Sequence, residues 1–291
     1  MRGDHGAHPG VRTVSATVVD FPAGVVSGSG TVERVETLGE AVGIVTDRTP
    51  FHPVDPSWPD QPADTGTLNG VPVLDCLVGA IDADGVLSVG DAITPRRGDP
   101  DHTWVVVHVV AAADAPEVGQ PVDLQVDAER RAALSRAHTA CHVSALALNA
   151  VVKDLWRKDV ARDGIGNPDF DKIALTESRM VPDQARDTYR LGKSLRKKGF
   201  DTASFRESLD AVATQVDAQI QAWIDADASV EIQTEGPHLT DMRYWCCHVP
   251  EGEYRIACGG THVTALRELG AVTVRYEAPD DATVVAVTSV G

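Results

Sequence analysis

His138-Thr-Ala-Cys-His142 and Cys258-Gly-Gly-Thr-His262 are the two stretches whose spacing decides how the rest of the chain is arranged. On an α-helix, residues four apart differ by about 40° in azimuth, so His138 and His142 leave one face and both imidazoles reach one point. Cys258 and His262 share that spacing, but Gly259 and Gly260 predict a tight turn that delivers Cys258. A helix from about Thr261 would then deliver His262 in its first turn. Taken singly, HxxxH is more often two histidines at a core edge, and Cys-Gly-Gly a turn with a buried thiol. Taken together, three imidazoles and a thiolate in apolar surroundings form a tetrahedral ligand set for zinc (Zn2+), because buried imidazoles need partners.

Working outward, residues 11–126 show short β-branched runs punctuated by Gly, Pro and Asp: Val14–Val19, Gly43–Thr46, Val71–Val78, Trp104–Val110 and Val122–Val126. Such runs predict a small barrel or sandwich. The segment from Thr46 to Gly66 carries five prolines, which excludes a helix or a central strand and leaves a shaped loop. Asp127 is the expected N-cap of a long helix to about Asp159 that carries His138 and His142 at the border of an apolar face. Ser204 with Glu207 predicts a capping box ahead of an amphipathic helix bearing Phe205, Leu209, Val212, Val216, Ile220 and Trp223. Strands are expected at Val230–Thr234, Arg243–Val249, Tyr254–Ala257, Val272–Tyr276 and Val284–Val287, with a helix over Thr261–Leu269 stopped by Gly270. The fold class is thus α+β, divided into residues 1–126, barrel-like, and residues 127–291, an α+β unit holding the zinc.

Composition narrows the function. The 291 residues are 43% apolar and carry no run near the ~20 residues of a membrane span, and Met1-Arg-Gly-Asp-His-Gly lacks the apolar core of a signal peptide. A soluble cytoplasmic protein without membrane contact is expected. Five cysteines, two of them the adjacent Cys246 and Cys247, are odd in number and badly spaced for a disulfide framework, so reduced thiols are expected. A net charge of −17 argues against bulk attraction to nucleic acid, so any such contact must be local. Arg186, Arg190, Lys193, Arg196, Lys197 and Lys198 gather six positive charges against Asp187; they form either a solvated helix face or a phosphate-contacting surface.

In order, Asp47-Arg-Thr-Pro-Phe51, Gln61-Pro-Ala-Asp-Thr-Gly66, His138-Thr-Ala-Cys-His142 and Cys258-Gly-Gly-Thr-His262 resemble the editing domain of alanyl-tRNA synthetase and its free-standing AlaX relatives. The related threonyl editing domain also pairs HxxxH with CxxxH, but the Gly-Gly-Thr filling is closer to the alanyl branch. Nothing resembles a class II aminoacylation core, so the resemblance implies a stand-alone, zinc-dependent trans-editing deacylase. Its reaction would be hydrolysis of the ester of a mischarged tRNA, its partner.

The resemblance makes His138, His142, Cys258 and His262 the metal-binding and catalytic set. If all four bind, no position is left for water unless the ion expands to five-coordinate or releases a ligand. His138, His142 and Cys258 are therefore expected as firm ligands and His262 as a weaker fourth, the same side chains holding water without metal being the alternative. Asp47, Thr49, Trp58 and Gln61 are expected at the substrate, and Arg190, Lys193, Lys197 and Lys198 at tRNA phosphates.

One departure stands out. Where the family pattern has Phe-Tyr-Pro, a glycine-rich run and Gln-Pro, this chain has Phe51-His-Pro53, the glycine-free Val54-Asp-Pro-Ser-Trp-Pro-Asp60, then Gln61-Pro62. The family default is serine or glycine on tRNA(Ala). The altered loop raises a threonine analogue such as fluorothreonine on tRNA(Thr) as the alternative acyl group. A zinc-stabilised tRNA-binding module without catalysis and a small-molecule metallo-esterase are the readings from other classes.

Overall fold

Residues 14–291 are described by the computed structural model. The opening of the chain, with its expected lack of a signal peptide and the start of the run from Val11, lies outside the described residues. In the first half the β-branched runs do become strands: β1 (Val18–Val19), β2 (Ser27–Leu38), β3 (Ala41–Thr46), β4 (Arg48–Thr49), β5 (Gly66–Leu68), β6 (Val71–Val73), β7 (Asp75–Ile81), β8 (Leu87–Val89), β9 (Thr103–Ala111) and β10 (Pro121–Val126). One sheet runs in the order β6-β5-β10-β2-β3-β9-β7-β8, and β1 pairs in parallel with β4. The sheet curls around Phe21, Ile44, Phe51, Leu68, Val106 and Leu124, which are almost fully buried.

The small barrel expected here is an open half-barrel. Its edge strands β6 and β8 have three residues each, and Pro72 removes a donor from β6, so neither offers a ladder long enough to close the sheet. The expected strand Val14–Val19 contracts to β1, and Val71–Val78 breaks at Leu74, whose N–H turns to Val109 O (2.7 Å).

Asp127 caps α1 (Ala128–Val151) as expected, its side chain accepting from Arg130 N–H. From Leu134 to Asn149 almost every side chain of α1 is buried, as befits a helix enclosed by other elements rather than lying on a surface. The helix stops at Val151 and not near Asp159. After a 3-10 turn over Lys153–Leu155, Trp156 becomes extended, bridges Phe200 and packs its ring on that residue at 4.9 Å. Arg131 anchors α1 to the first half: its guanidinium holds the Asp64 carboxylate, both nearly inaccessible, and donates to Pro50 O at 2.8 Å.

The remaining elements are α2 (Phe170–Ala174), β11 (Leu175–Val181), β12 (Gln184–Arg190), α3 (Lys193–Lys197), α4 (Thr202–Glu207), α5 (Leu209–Asp225), β13 (Ser229–Thr234), β14 (Arg243–Val249), β15 (Gly252–Ala257), β16 (Val272–Asp280) and β17 (Thr283–Val290). They form a sheet β11-β12-β17-β16 and a sheet β13-β14-β15. α1 and α5 pack together over the first of these. α5 buries Val212, Val216, Ile220 and Trp223 at the predicted helical spacing, each worth about 1.5–3 kcal/mol. A charge at Val216 would break that contact.

The Ser204/Glu207 capping box does not form. Asp201 is the N-cap, accepting from Ser204 N–H at 3.2 Å, and Ser208 separates α4 from α5. The basic stretch is not one helix face either: Arg186 and Arg190 lie on β12, and Lys193, Arg196 and Lys197 on α3. All five cysteines are free, as expected, and among the described residues no helix is long and apolar enough to cross a membrane.

Candidate metal centre and its cavity

α1 presents His138 and His142 one turn apart, with their ring centroids 4.7 Å from each other. The segment after β15 brings Cys258 and His262 to the same place. Cys258 Sγ lies 3.2 Å from His262 Nε2, 3.4 Å from His142 Nε2 and 3.5 Å from His138 Nε2, and the four donor atoms lie within 4.8 Å of one another. Three ring nitrogens and one sulfur thus converge on a point.

The other ring nitrogens fix the tautomers. Gln61 Nε2 donates to Thr261 Oγ1, so its Oε1 accepts, taking Thr261 N–H at 2.9 Å and His138 Nδ1–H at 2.8 Å. Thr139 Oγ1 donates to Ser135 O and accepts from His262 Nδ1–H at 3.1 Å. In both histidines the proton sits on Nδ1, and the Nε2 lone pair is left facing the sulfur.

Burial keeps these groups neutral. It lowers the His142 imidazole to about 4, drives His138 and His262 well below the ordinary histidine value, and pushes the Cys258 thiol up to about 12. The thiol proton can serve only one of the two lone pairs so fixed, on His138 and His262, so the donor set as it stands is short of positive charge. A metal ion is what such a set can hold.

One local expectation fails. No helix begins at Thr261, because the N–H groups there are engaged by side chains: Thr261 by Gln61, Val263 by Thr139, and Thr264 and Ala265 by Glu268 Oε1. Only a 3-10 turn over Leu266–Leu269 follows. The chain does bend at Gly260, where a turn was expected, with neither Gly259 nor Gly260 at positive φ. Gly260 is required by proximity: a Cβ there would run into the His138 ring and Gln61 Oε1.

A cavity of about 310 Å³ opens beside the cluster, lined on one side by Cys258, Gly259 and Gly260 and on the other by the loop from His52 to Gln61. Trp58 stands at its wall, half exposed, and Gln61 lines it while being engaged beneath His138. Asp47 and Thr49 are not among the lining residues. Asp47 Oδ1 accepts from Thr31 N–H at 2.7 Å, and the buried Thr49 hydroxyl meets His108 Nε2 at 2.8 Å.

Among the lining residues that the sequence did not point to are Asp60, Arg97 and Arg243. Asp60 Oδ2 reaches within 3.6 Å of His138 Nε2, and burial raises its carboxyl to about 6. Arg97 pairs with Asp55, and the nearly inaccessible Arg243 donates to Leu239 O at 3.0 Å. All three depend on long-range packing; only Asp60, adjacent to the Gln61 motif, carried a signal in sequence.

Arg190, Lys193, Lys197 and Lys198 are exposed and, among the described residues, form no ion pair. The fold brings a second basic segment beside them: Lys153, Arg157, Lys158 and Arg162 line a depression at the end of α1, and Lys158 Nζ donates to Lys197 O at 3.0 Å.

No family model matches the chain. The alanyl-tRNA editing protein AlaX-M of Pyrococcus horikoshii is 29% identical over 227 residues, covering 78% of this chain and 76% of that protein. The alanine–tRNA ligase of Halobacterium salinarum is 28% identical over 247 residues, 80% of this chain but 21% of the ligase. That of Myxococcus xanthus is 26% identical over 273 residues, 88% of this chain and 25% of the ligase. The chain therefore spans about a fifth to a quarter of these ligases and about three quarters of the free-standing protein. The resemblance carried by four short motifs extends over most of the chain, which is related in sequence to a free-standing alanyl-tRNA editing protein.

Proposed function

We propose that this chain is a trans-editing aminoacyl-tRNA deacylase that hydrolyses the ester between a wrong amino acid and the terminal ribose of its tRNA, serine or glycine on tRNA(Ala) or a threonine analogue on tRNA(Thr), with zinc bound by His138, His142, Cys258 and His262. The observation that carries the reading is the convergence of those four donors at the wall of a cavity, in a chain similar to AlaX-M over most of both lengths. Tetrahedral zinc with ~2.1 Å to nitrogen and ~2.3 Å to sulfur implies N···S separations of about 3.6 Å, close to the 3.2, 3.4 and 3.5 Å found. When bound, zinc supplies Lewis-acid polarisation of the ester carbonyl and acidification of a water.

The chain's own residues supply orientation. Gln61 and Thr139 hold two imidazoles by their Nδ1 atoms, and the walls from Pro53 to Asp60 and at Gly259 and Gly260 place the acyl group and limit its size. The loop 54–60, with Trp58 at the rim, selects the acyl group; serine, glycine and a threonine analogue are the candidates. Arg190, Lys193, Lys197 and Lys198, joined by Lys153 and Lys158, contact the tRNA phosphates. Lys153 lies eleven residues beyond His142, about 16 Å along the helix direction, so this basic surface would meet the acceptor arm rather than its terminal nucleotide. A division near residue 126, between the half-barrel core and the core around α1, and a cytoplasmic location belong to the same reading.

The test is a panel of seryl-, glycyl- and alanyl-tRNA(Ala) and threonyl- and fluorothreonyl-tRNA(Thr), offered to protein of measured metal content. The expected result is about one zinc per chain, rapid hydrolysis of at least one mischarged species and sparing of alanyl-tRNA. Tight tRNA binding without hydrolysis would make the chain a binding module. Equal cleavage of simple amino-acid esters would make it a small-molecule esterase.

A further inference from the structure

Asp60 is the last residue of the glycine-free loop, and its main chain is pinned on both sides. Its N–H donates to Trp58 O at 2.9 Å, and its C=O accepts from Met180 N–H of β11 at 2.9 Å. One carboxylate oxygen, Oδ1, accepts from Gln61 N–H at 2.7 Å, which fixes the rotamer of this cavity-lining side chain with Oδ2 3.6 Å from His138 Nε2. The side chain is 19% exposed, low enough for an unpaired charge to be costly.

The guanidinium groups lining the cavity are engaged elsewhere. Arg97 holds Asp55 and donates to Leu239 O at 2.9 Å, and Arg243 donates to Leu239 O and His238 O and lies over the Phe21 ring. Among the described residues, the only basic group within 4 Å of Asp60 is His138, whose facing nitrogen belongs to the donor set. Asp60 itself stands outside the group of mutually close donors. It is an acceptor beside the reaction centre with no resident cation.

An aminoacyl ester brings a cation of its own. The α-ammonium is carried on the carbon bonded to the ester carbonyl, so a carbonyl held at the metal centre places the ammonium immediately beside it. Resting on the deacylase reading, we propose that Asp60 Oδ2 receives the α-ammonium of the aminoacyl group, and that this chain thereby selects esters with a free α-amino group over α-hydroxyacyl or N-acylated ones. A carboxylate–ammonium hydrogen bond in a partly desolvated cavity is strong enough for such discrimination. Asp60 occupies the place just before Gln61 where the resemblance expects glycine, so the selectivity belongs to the altered loop of this chain.

The experiment compares wild type, Asp60→Asn and Asp60→Ala on seryl-tRNA(Ala) and on the glyceryl-tRNA(Ala) made from it by nitrous acid, with metal content and thermal unfolding recorded for each protein. In wild type, kcat/KM is expected to favour the seryl ester. Asp60→Asn should lower kcat/KM for seryl-tRNA by ~10–100-fold, leave that for glyceryl-tRNA within about threefold, and keep the metal. A non-hydrolysable 3′-serylamino-3′-deoxyadenosine should bind wild type more tightly than Asp60→Asn, whereas its N-acetyl form should not distinguish them. Equal losses on both esters, loss of metal in the variant, or no loss on either would each overturn the assignment. Where the panel above shows another acyl group preferred, that ester and its nitrous-acid product take the place of the seryl pair; a wild type that cleaves no mischarged tRNA would instead overturn the deacylase reading, an outcome visible before any variant is made.

Discussion

The two faces of α1 each bury a polar cluster, and they differ in what they lack. On one face, three Nε2 atoms and Cys258 Sγ meet with more lone pairs than protons. On the other, donors and acceptors match: Cys141 Sγ–H donates to the Asp187 carboxylate at 3.3 and 3.5 Å, and Ser144 Oγ meets Thr288 Oγ1 at 2.9 Å. Burial alone therefore does not mark a site; the imbalance of donors does. Cys141 sits inside the HxxxH motif, one residue before His142, yet it belongs to the self-satisfied face.

The largest effect should come from worsening the imbalance. Cys258→Ala removes the sulfur, and a fall of ~10³-fold in single-turnover hydrolysis, with metal affinity lowered at least ~100-fold and tRNA affinity kept, is expected. Retained metal and activity would place the donor set outside the chemistry.

On the opposite face, Asp187 carries an electrostatic cost. Burial raises its carboxyl from 3.8 to about 6. The folded chain thus holds this proton where the unfolded chain has released it. The cost is absent below about pH 4, grows as pH rises from about 4 to 6, and is complete above that. Asp187→Asn should raise stability in urea at pH 8 by up to ~3 kcal/mol relative to wild type, with the difference shrinking towards pH 4. Destabilisation at pH 8 would show that the hydrogen bonds Asp187 accepts from Cys141 and from the Ser178 hydroxyl outweigh the buried charge.

A smaller loss is expected from the tautomer-setting residues. Gln61→Ala and Thr139→Val should each weaken metal retention or hydrolysis by ~10–100-fold, measured by chelator competition and single-turnover rates. The smallest belongs to Ser144→Ala, which should cost about 1 kcal/mol in unfolding free energy and leave metal content and hydrolysis unchanged. Were Ser144→Ala to impair hydrolysis as much as Gln61→Ala, the contrast between the faces would collapse.

What the sequence discloses follows from the range of the forces involved. HxxxH on a helix is legible because periodicity is local, and so is the amphipathic α5. The segment after Cys258 is not, since its backbone N–H groups go to Gln61, Thr139 and Glu268, only the last of which is near in sequence. β2 escapes because Ser27-Gly-Ser-Gly30 offers no apolar alternation, Gly30 being set by closeness to the Arg48 carbonyl oxygen. β12 escapes because its charges mask alternate burial of Ala185, Asp187 and Tyr189. Thr49 and Asp47, assigned to substrate through a motif, are held by His108 and Thr31, partners that only the curled sheet brings near.

Gln61 and Thr261 are 200 positions apart and His138 and Cys258 are 120, so the metal centre is closed by contacts among the most distant in the chain. Closing a loop of that length costs entropy that is recovered only when both halves are already packed. During synthesis the half carrying HxxxH leaves the ribosome long before the half carrying Cys258 exists. On the deacylase reading, the growing chain is inert towards the charged tRNAs that surround it until the segment carrying Cys258 and His262 has emerged and packed.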